Sequence, residues 1–152
     1  MSARDPIPAY VHLLRAKDLI DRDYGEALDV PALARAAFAS PKHFIRSFRA
    51  AFGETPHQYL LRRRVERAKE LLRATDASVT EISLEVGFRS LGSFSTAFRA
   101  LAGEPPSRYR AGWRARGAPP AMPGCHALMW TRLADRALFE KPPAPGGDTV
   151  AA

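Results

Sequence analysis

The sequence predicts an all-α chain of seven helices, built as two short helical units joined by a long rod. Three observations carry that expectation. Apolar residues recur at helical spacing through residues 7–116, and no strand-type alternation there lasts a strand's length. A stretch reading SPKHFIRSFRAAFGETPHQY at 40–59 returns as SLGSFSTAFRALAGEPPSRY at 90–109. The copies share Ser40/Ser90, Phe44/Phe94, Phe48/Phe98, Arg49/Arg99, Ala50/Ala100, Gly53/Gly103, Glu54/Glu104, Pro56/Pro106 and Tyr59/Tyr109. Upstream the match continues with a one-residue slip, pairing Val30 with Val79 and Leu33 with Ile82. Third, the repeat occurs only twice, too few copies for a solenoid, which stacks three or more. Two copies of a small unit can instead grip two stretches of one ligand.

Each element has a local signature. Ile7, Tyr10, Val11, Leu14 and Ala16 to Ile20 form the apolar side of a first helix, which ends in the acidic, glycine-containing run at 21–25. Asp29 N-caps a short helix from Val30 to Phe38, with Pro31 in its tolerant first turn. Ser40 caps the next, with Pro41 at its first position and Gly53 closing it. Thr55-Pro56-His57-Gln58 combines a cap, a proline and a capping-box glutamine, and starts the longest helix. Tyr59, Leu60, Val65, Ala68, Leu71 and Leu72 keep one face of that rod apolar to about Arg73. Ser78 to Glu81 is a second capping box, opening a short helix that ends near Gly87. Ser90 to Ala102 is the partner of the Ser40 helix, and Pro106 to about Arg114 is the last. The expected units are 6–54 and 76–114, with the linker helix at 55–75. A tail at 115–152, rich in Pro and Gly from residue 117, has disordered-linker ends, and its middle, ALMWTRLADRALF, fits a helix or a strand.

Composition narrows the function. The net charge is +7. Residues 40–116 hold 15 Lys and Arg against 7 Asp and Glu, residues 1–39 hold 5 against 6, and residues 117–152 hold 3 against 3. The basic excess therefore sits in the duplicated region, the footprint expected of a protein that displaces counterions from phosphates. A solvated basic surface gives the same count. Cys125 is the sole cysteine, so an internal disulfide and a Cys-rich zinc site are excluded. The N-terminal MSARDPIPAYVH lacks an apolar signal core and no run is long enough for a membrane span, so a soluble, cytoplasmic, nucleoid-associated protein is expected.

The Ser40 helix supplies the candidate reading face. With Phe44, Phe48, Ala51 and Phe52 inward, the outer side carries Lys42, Ile45, Arg46 and Arg49, spaced i, i+3, i+4, i+7. A major groove admits one α-helix, Arg grips guanine bidentately, and Lys or Arg holds phosphates. The capped N-terminus at Ser40 is a further phosphate site. In the copy, Phe94, Phe98 and Leu101 point inward, and Leu91, Gly92, Ser95, Thr96 and Arg99 face out, next to Arg89 and the cap Ser90. Thr96 stands where Arg46 stands in the first copy. The first unit is thus expected to specify and the second mainly to position. The rod carries Arg62, Arg63, Arg64, Arg67 and Lys69, for which a solvated face paired with Glu66 and Glu70 is the competing account.

These residues resemble a known family. Arg64-Val65-x-x-Ala68-x-x-Leu71-Leu72, Val79-Thr80-Glu81-Ile82-x-x-x-Val86-Gly87-Phe88-x-Ser90, Phe94-x-x-x-Phe98-Arg99, Gly103-x-x-Pro106 and Tyr109-Arg110 are similar to the signature of AraC/XylS-type transcription regulators, over roughly residues 6–112. The resemblance implies two helix-turn-helix motifs joined by a linker helix, with recognition helices in adjacent major-groove segments. Base reading then falls to Lys42, Ile45 and Arg46, and to Leu91, Gly92 and Thr96. The family commonly carries Arg at the position of Thr96, and longer members attach a sensing or dimerising domain. About five residues precede the first helix here, so the expectation is the short, monomeric type controlled by abundance, with double-stranded DNA as partner and RNA polymerase as a second candidate.

Other chemistry has little support. Cys125-His126 has no third partner in the sequence, and His43 and His57 sit at helix starts as cap or surface groups. No phosphate loop, His-x-x-x-His pair or nucleophile elbow is present, so neither catalysis nor a cofactor or metal is expected. Two rivals to specific DNA reading stand beside it. One is an interaction module presenting Trp130 with Leu128, Met129 and Leu133; the other is non-specific architectural DNA binding.

Overall fold

A computed structural model of the chain describes residues 9–117. The helices are α1 (Ala9–Asp23), α2 (Val30–Ala36), α3 (Pro41–Phe52), α4 (Pro56–Ala74), α5 (Val79–Glu85), α6 (Leu91–Ala102) and α7 (Pro106–Ala115), with no strand among the described residues. Ile7, Cys125, His126 and the apolar run around Trp130 lie outside that range, as does the tail beyond Gly117.

Capping chemistry sets most boundaries. The Asp29 carboxylate accepts from the Ala32 amide, and the Ser40 hydroxyl accepts from that of His43. Thr55 with Gln58 and Ser78 with Glu81 both close full capping boxes. The backbone hydrogen bond that Glu81 accepts from Ser78 holds its carboxyl below the ordinary value. At their C-terminal ends α3 and α6 stop on Gly53 and Gly103, whose φ of 81° and 82° would strain any residue with a Cβ.

Each unit has its own core, and the rod belongs to both. Leu13, Ala16 and Ile20 of α1 meet Leu33, Phe44, Phe48, Tyr59 and Leu60 in the first. Val65, Ala68, Leu71 and Leu72 of α4 meet Ile82, Val86, Phe88, Phe94 and Phe98 in the second. The copies even repeat their ring geometry. Phe48 packs edge-on to Tyr59 at 5.8 Å between centroids, and Phe98 to Tyr109 at 5.5 Å.

Several expectations fail at element ends. Helix α2 closes at Ala36, and Phe38 lies in the following turn with φ 54° and 76% of its surface exposed. Gly87 holds the equivalent turn position in the second unit with φ 93°. Phe38 therefore occupies a left-handed conformation that a bulky residue adopts only with strain. On α1, Leu13 is buried, whereas Tyr10 is exposed and Leu14 only half-buried. Ala51 and Leu101 are exposed instead of inward; one residue on, Phe52 and Ala102 make the core contact. The Phe52 ring packs on Tyr10 and Phe48, so the buried side at this helix end is set by its neighbours and not by the 3.6-residue period alone.

Candidate nucleic-acid interface

Burial of one side of α3 fixes what the other presents. Phe44 and Phe48 are fully buried, which leaves Lys42, Ile45, Arg46 and Arg49 exposed together. Among the described residues no carboxylate pairs with Lys42, Arg46 or Arg49. In α6, Phe94 and Phe98 are buried, and Leu91, Gly92, Thr96 and Arg99 are exposed. Ser95 departs from expectation, being half-buried. The Ser90 hydroxyl is committed at home, accepting from the Ser93 amide at 3.1 Å and donating to the Ser93 hydroxyl at 2.9 Å. Arg89 is exposed, without an acidic partner among the described residues.

Arg89 also explains the slip in the repeat. The turn bonds Ala39 N–H to Ala34 O and Phe88 N–H to Ser83 O coincide in the two units, as do the caps Ser40 and Ser90. The extra residue between the second turn and its cap is Arg89, a cation inserted where the first unit has none.

The rod's arginines behave differently. Arg62 donates to Glu54 at 2.7 Å and to Glu66 at 2.9 Å, and the Glu54 bond raises its pKa further above the usual range. Arg63 lies 2.8 Å from the Asp21 carboxylate and 3.3 Å from Glu66. Arg67 pairs with Glu70. Arg64 is buried, donating from Nε to the Tyr24 carbonyl at 2.7 Å and from Nη2 to that of Glu26 at 2.9 Å, and burial lowers its pKa. In the second unit Arg110 plays a similar part, donating to the carbonyls of Leu72 and Ala77, its pKa lowered mainly by burial and also by Arg114. The competing account therefore holds for Arg62, Arg63 and Arg67, which pair with Glu66 or Glu70, and Arg64 is buried structure instead. Sequence reasoning missed the role of Arg64, whose partners are backbone carbonyls 40 and 38 residues upstream.

An open groove runs between the units, bounded by the loop Gly25 to Asp29, by His57, Leu61 and Arg64 of the rod, and by Arg89, Gly92 and Thr96. No cluster of three or more His, Cys, Asp or Glu suited to a metal occurs among the described residues, and no helix there is long and apolar enough to cross a membrane.

Comparison with known proteins agrees with this geometry. Residues 33–112 match the model of a helix-turn-helix domain family. A probable transcriptional regulator, LumQ of Photobacterium leiognathi, is 33% identical over 100 residues, covering 66% of this chain and 40% of its own length. A putative AraC-like transcription regulator of Streptomyces lividans is 34% identical over 106 residues, or 70% of this chain and 33% of its own. The chain thus spans well under half the length of these relatives. Among solved structures, the DNA-binding domain of AdpA, a global transcriptional factor crystallised with a target DNA, superimposes with a TM-score of 0.66 at 38% identity, covering 68% of this chain and 94% of that one. An AraC-type regulator from Chromobacterium violaceum gives 0.62 at 30% identity, covering 68% and 92%. With its two capped units on a shared rod and its matched span, this chain belongs to the AraC-type helix-turn-helix family of transcriptional regulators.

Proposed function

We propose that this protein is a sequence-specific DNA-binding transcriptional regulator that engages two successive major-groove segments as a single chain. Helix α3 reads and α6 mainly positions. The observation carrying this reading is the split of the basic residues: Arg62, Arg63, Arg64 and Arg67 of the rod are consumed by internal partners, while Lys42, Arg46 and Arg49 share an exposed face with no acid among the described residues to neutralise them. A cationic face left uncompensated suits an external polyanion, and its helix has the width a major groove accepts. The 19 residues of α4 run about 28 Å at ~1.5 Å per residue, close to the roughly 34 Å between successive major-groove faces. On this reading Arg46 contacts a base edge, Arg49 and Arg99 hold phosphates, and Ile45 with Leu91 offers apolar contact to thymine methyl groups. Ser40, Ser90 and Ser95 support the helices more than they touch DNA. The protein works where DNA is, in the cytoplasm, with RNA polymerase as the partner through which regulation would act. Neither a cofactor nor catalysis enters this scheme.

The test is selection of bound duplexes from a random library at moderate salt. Enrichment of two unlike half-motifs about one helical turn apart is expected. Salt-sensitive binding with no enriched motif would instead make the protein an architectural binder, the outcome that the weak α6 face favours.

A further inference from the structure

Among the described residues the two units also touch away from the rod, at a junction where two glycines let backbone approach backbone closely. Every substantial helix–helix contact lies within a unit or with α4. The exception is a loop against a turn. The carbonyls of Tyr24 and Gly25, after α1, approach Gly87 so closely that a Cβ there would sit 2.9 Å from both oxygens and 3.1 Å from the Arg64 guanidinium carbon. From the other side, a Cβ on Gly25 would sit 3.2 Å from the Glu85 carbonyl oxygen. Arg64 lies between them. It donates to Tyr24 and Glu26 of the first unit, and its guanidinium stands 5.7 Å over the Phe88 ring of the second.

We propose that Arg64, with the glycine pair Gly25 and Gly87, is the positioning element that sets how the two recognition helices sit relative to each other, and hence which spacing of half-sites the protein accepts. The proposal rests on the two-segment reading above and adds the residues that tune it. Its reasoning is geometric. Two linked modules gain avidity only when both can engage at once. Shifting one half-site by a base pair rotates it by about a tenth of a turn around the duplex, given roughly 10–10.5 base pairs per turn. A rod carrying independently packed units would tolerate such a shift; a rod with its units locked together does not. A guanidinium suits the lock because its planar fork reaches two carbonyls and a ring face together, which a lysine ammonium cannot do in the same plane.

The experiment uses the full chain and the duplex selected above, with the distance between half-motifs changed by one base pair in either direction, beside a duplex carrying the first half-motif alone. Two variants are compared with wild type. Arg64→Met removes the donors and keeps an apolar stem. Gly25→Ala inserts a methyl at the junction and leaves Arg64 in place; Gly25 lacks a left-handed backbone, so the methyl asks only the Glu85 carbonyl, 3.2 Å away, to give by a few tenths of an ångström. Melting curves establish the folded fraction. Wild type should favour the selected spacing by about tenfold or more, within the range linkage supplies. Each folded variant should lose most of that preference, or move its optimum, while binding the first half-motif alone as wild type does. Folded variants that keep the wild-type optimum and its sharpness would overturn the proposal, as would loss of binding to the single half-motif, which marks a role inside one unit. If Arg64→Met does not fold, Gly25→Ala decides. A wild-type protein indifferent to spacing would be a failure of the two-segment reading itself, seen before any variant is tested.

Discussion

Arg49→Gln and Arg62→Gln each remove one positive charge from neighbouring helices, yet they should affect DNA binding differently. Arg49 is exposed on the outward face of α3 with no acidic partner among the described residues. Arg62 is held by Glu54 at 2.7 Å and Glu66 at 2.9 Å, so its fork is already occupied. Each phosphate neutralised contributes about 0.9 to the slope of log K against log salt for duplex DNA. Losing the Arg49 contact should therefore flatten the slope by about 0.9, so that the penalty for raising salt from about 50 to 200 mM shrinks by about 3.5-fold. Losing Arg62 should leave the slope unchanged and lower the melting temperature slightly, as for a partly exposed ion pair worth about 0.2–1 kcal/mol. Fluorescence anisotropy titrations on the selected duplex across that salt range measure both. If Arg62→Gln flattens the slope as much as Arg49→Gln does, the division between structural and DNA-facing arginines is wrong.

Three further outcomes follow from the same geometry. Arg46→Ala should cost about 1–3 kcal/mol of discrimination at one base position, and Thr96→Ala much less, measured as the affinity ratio between the selected site and single-base variants; equal losses would remove the asymmetry between units. Phe98→Ala deletes a fully buried ring packed on Phe94 and Tyr109 and should cost about 3–5 kcal/mol, a fall of roughly 10–20 °C in melting temperature for a domain near this size. Because its folded-state carboxyl is shifted down, Glu81 contributes stability that is fully present above its ordinary value of 4.5 and is lost as pH falls through the lowered value. Glu81→Gln should therefore reduce the difference in melting temperature between neutral and strongly acidic solution, and an unchanged difference would mean the capping box carries no such linkage.

Much of this was legible because the signals are local. A cap needs a side-chain oxygen within three residues of the amide it serves, so Asp29, Ser40, Thr55 and Ser78 announce four helix starts. Phenylalanines four apart mark the buried side of α3 and α6, and the cationic face opposite follows. What was not legible depends on distance in the chain. Periodicity placed Ala51 and Leu101 inside because it carries no information on which neighbours, such as Tyr10 beside Phe52, set the buried side at a helix end. Phe38 extended α2 on paper, since nothing in its own side chain says that the turn there is left-handed; its alignment with Gly87 was the available sign. The junction at Arg64 was hidden among the basic residues of the rod. Arg64 is satisfied by carbonyls of another segment, a pairing that leaves no mark on charge patterning.

The central claim is that one chain reads DNA through both units, and single-base substitution across the whole selected duplex, with affinity and stoichiometry measured at each position, tests it most directly. The account predicts one chain per duplex and two windows of sensitivity about 10 base pairs apart, steeper in the window that Arg46→Ala relaxes. Two chains per duplex with identical windows, both relaxed by Arg46→Ala, would contradict it, because α3 would then be reading twice and α6 not at all.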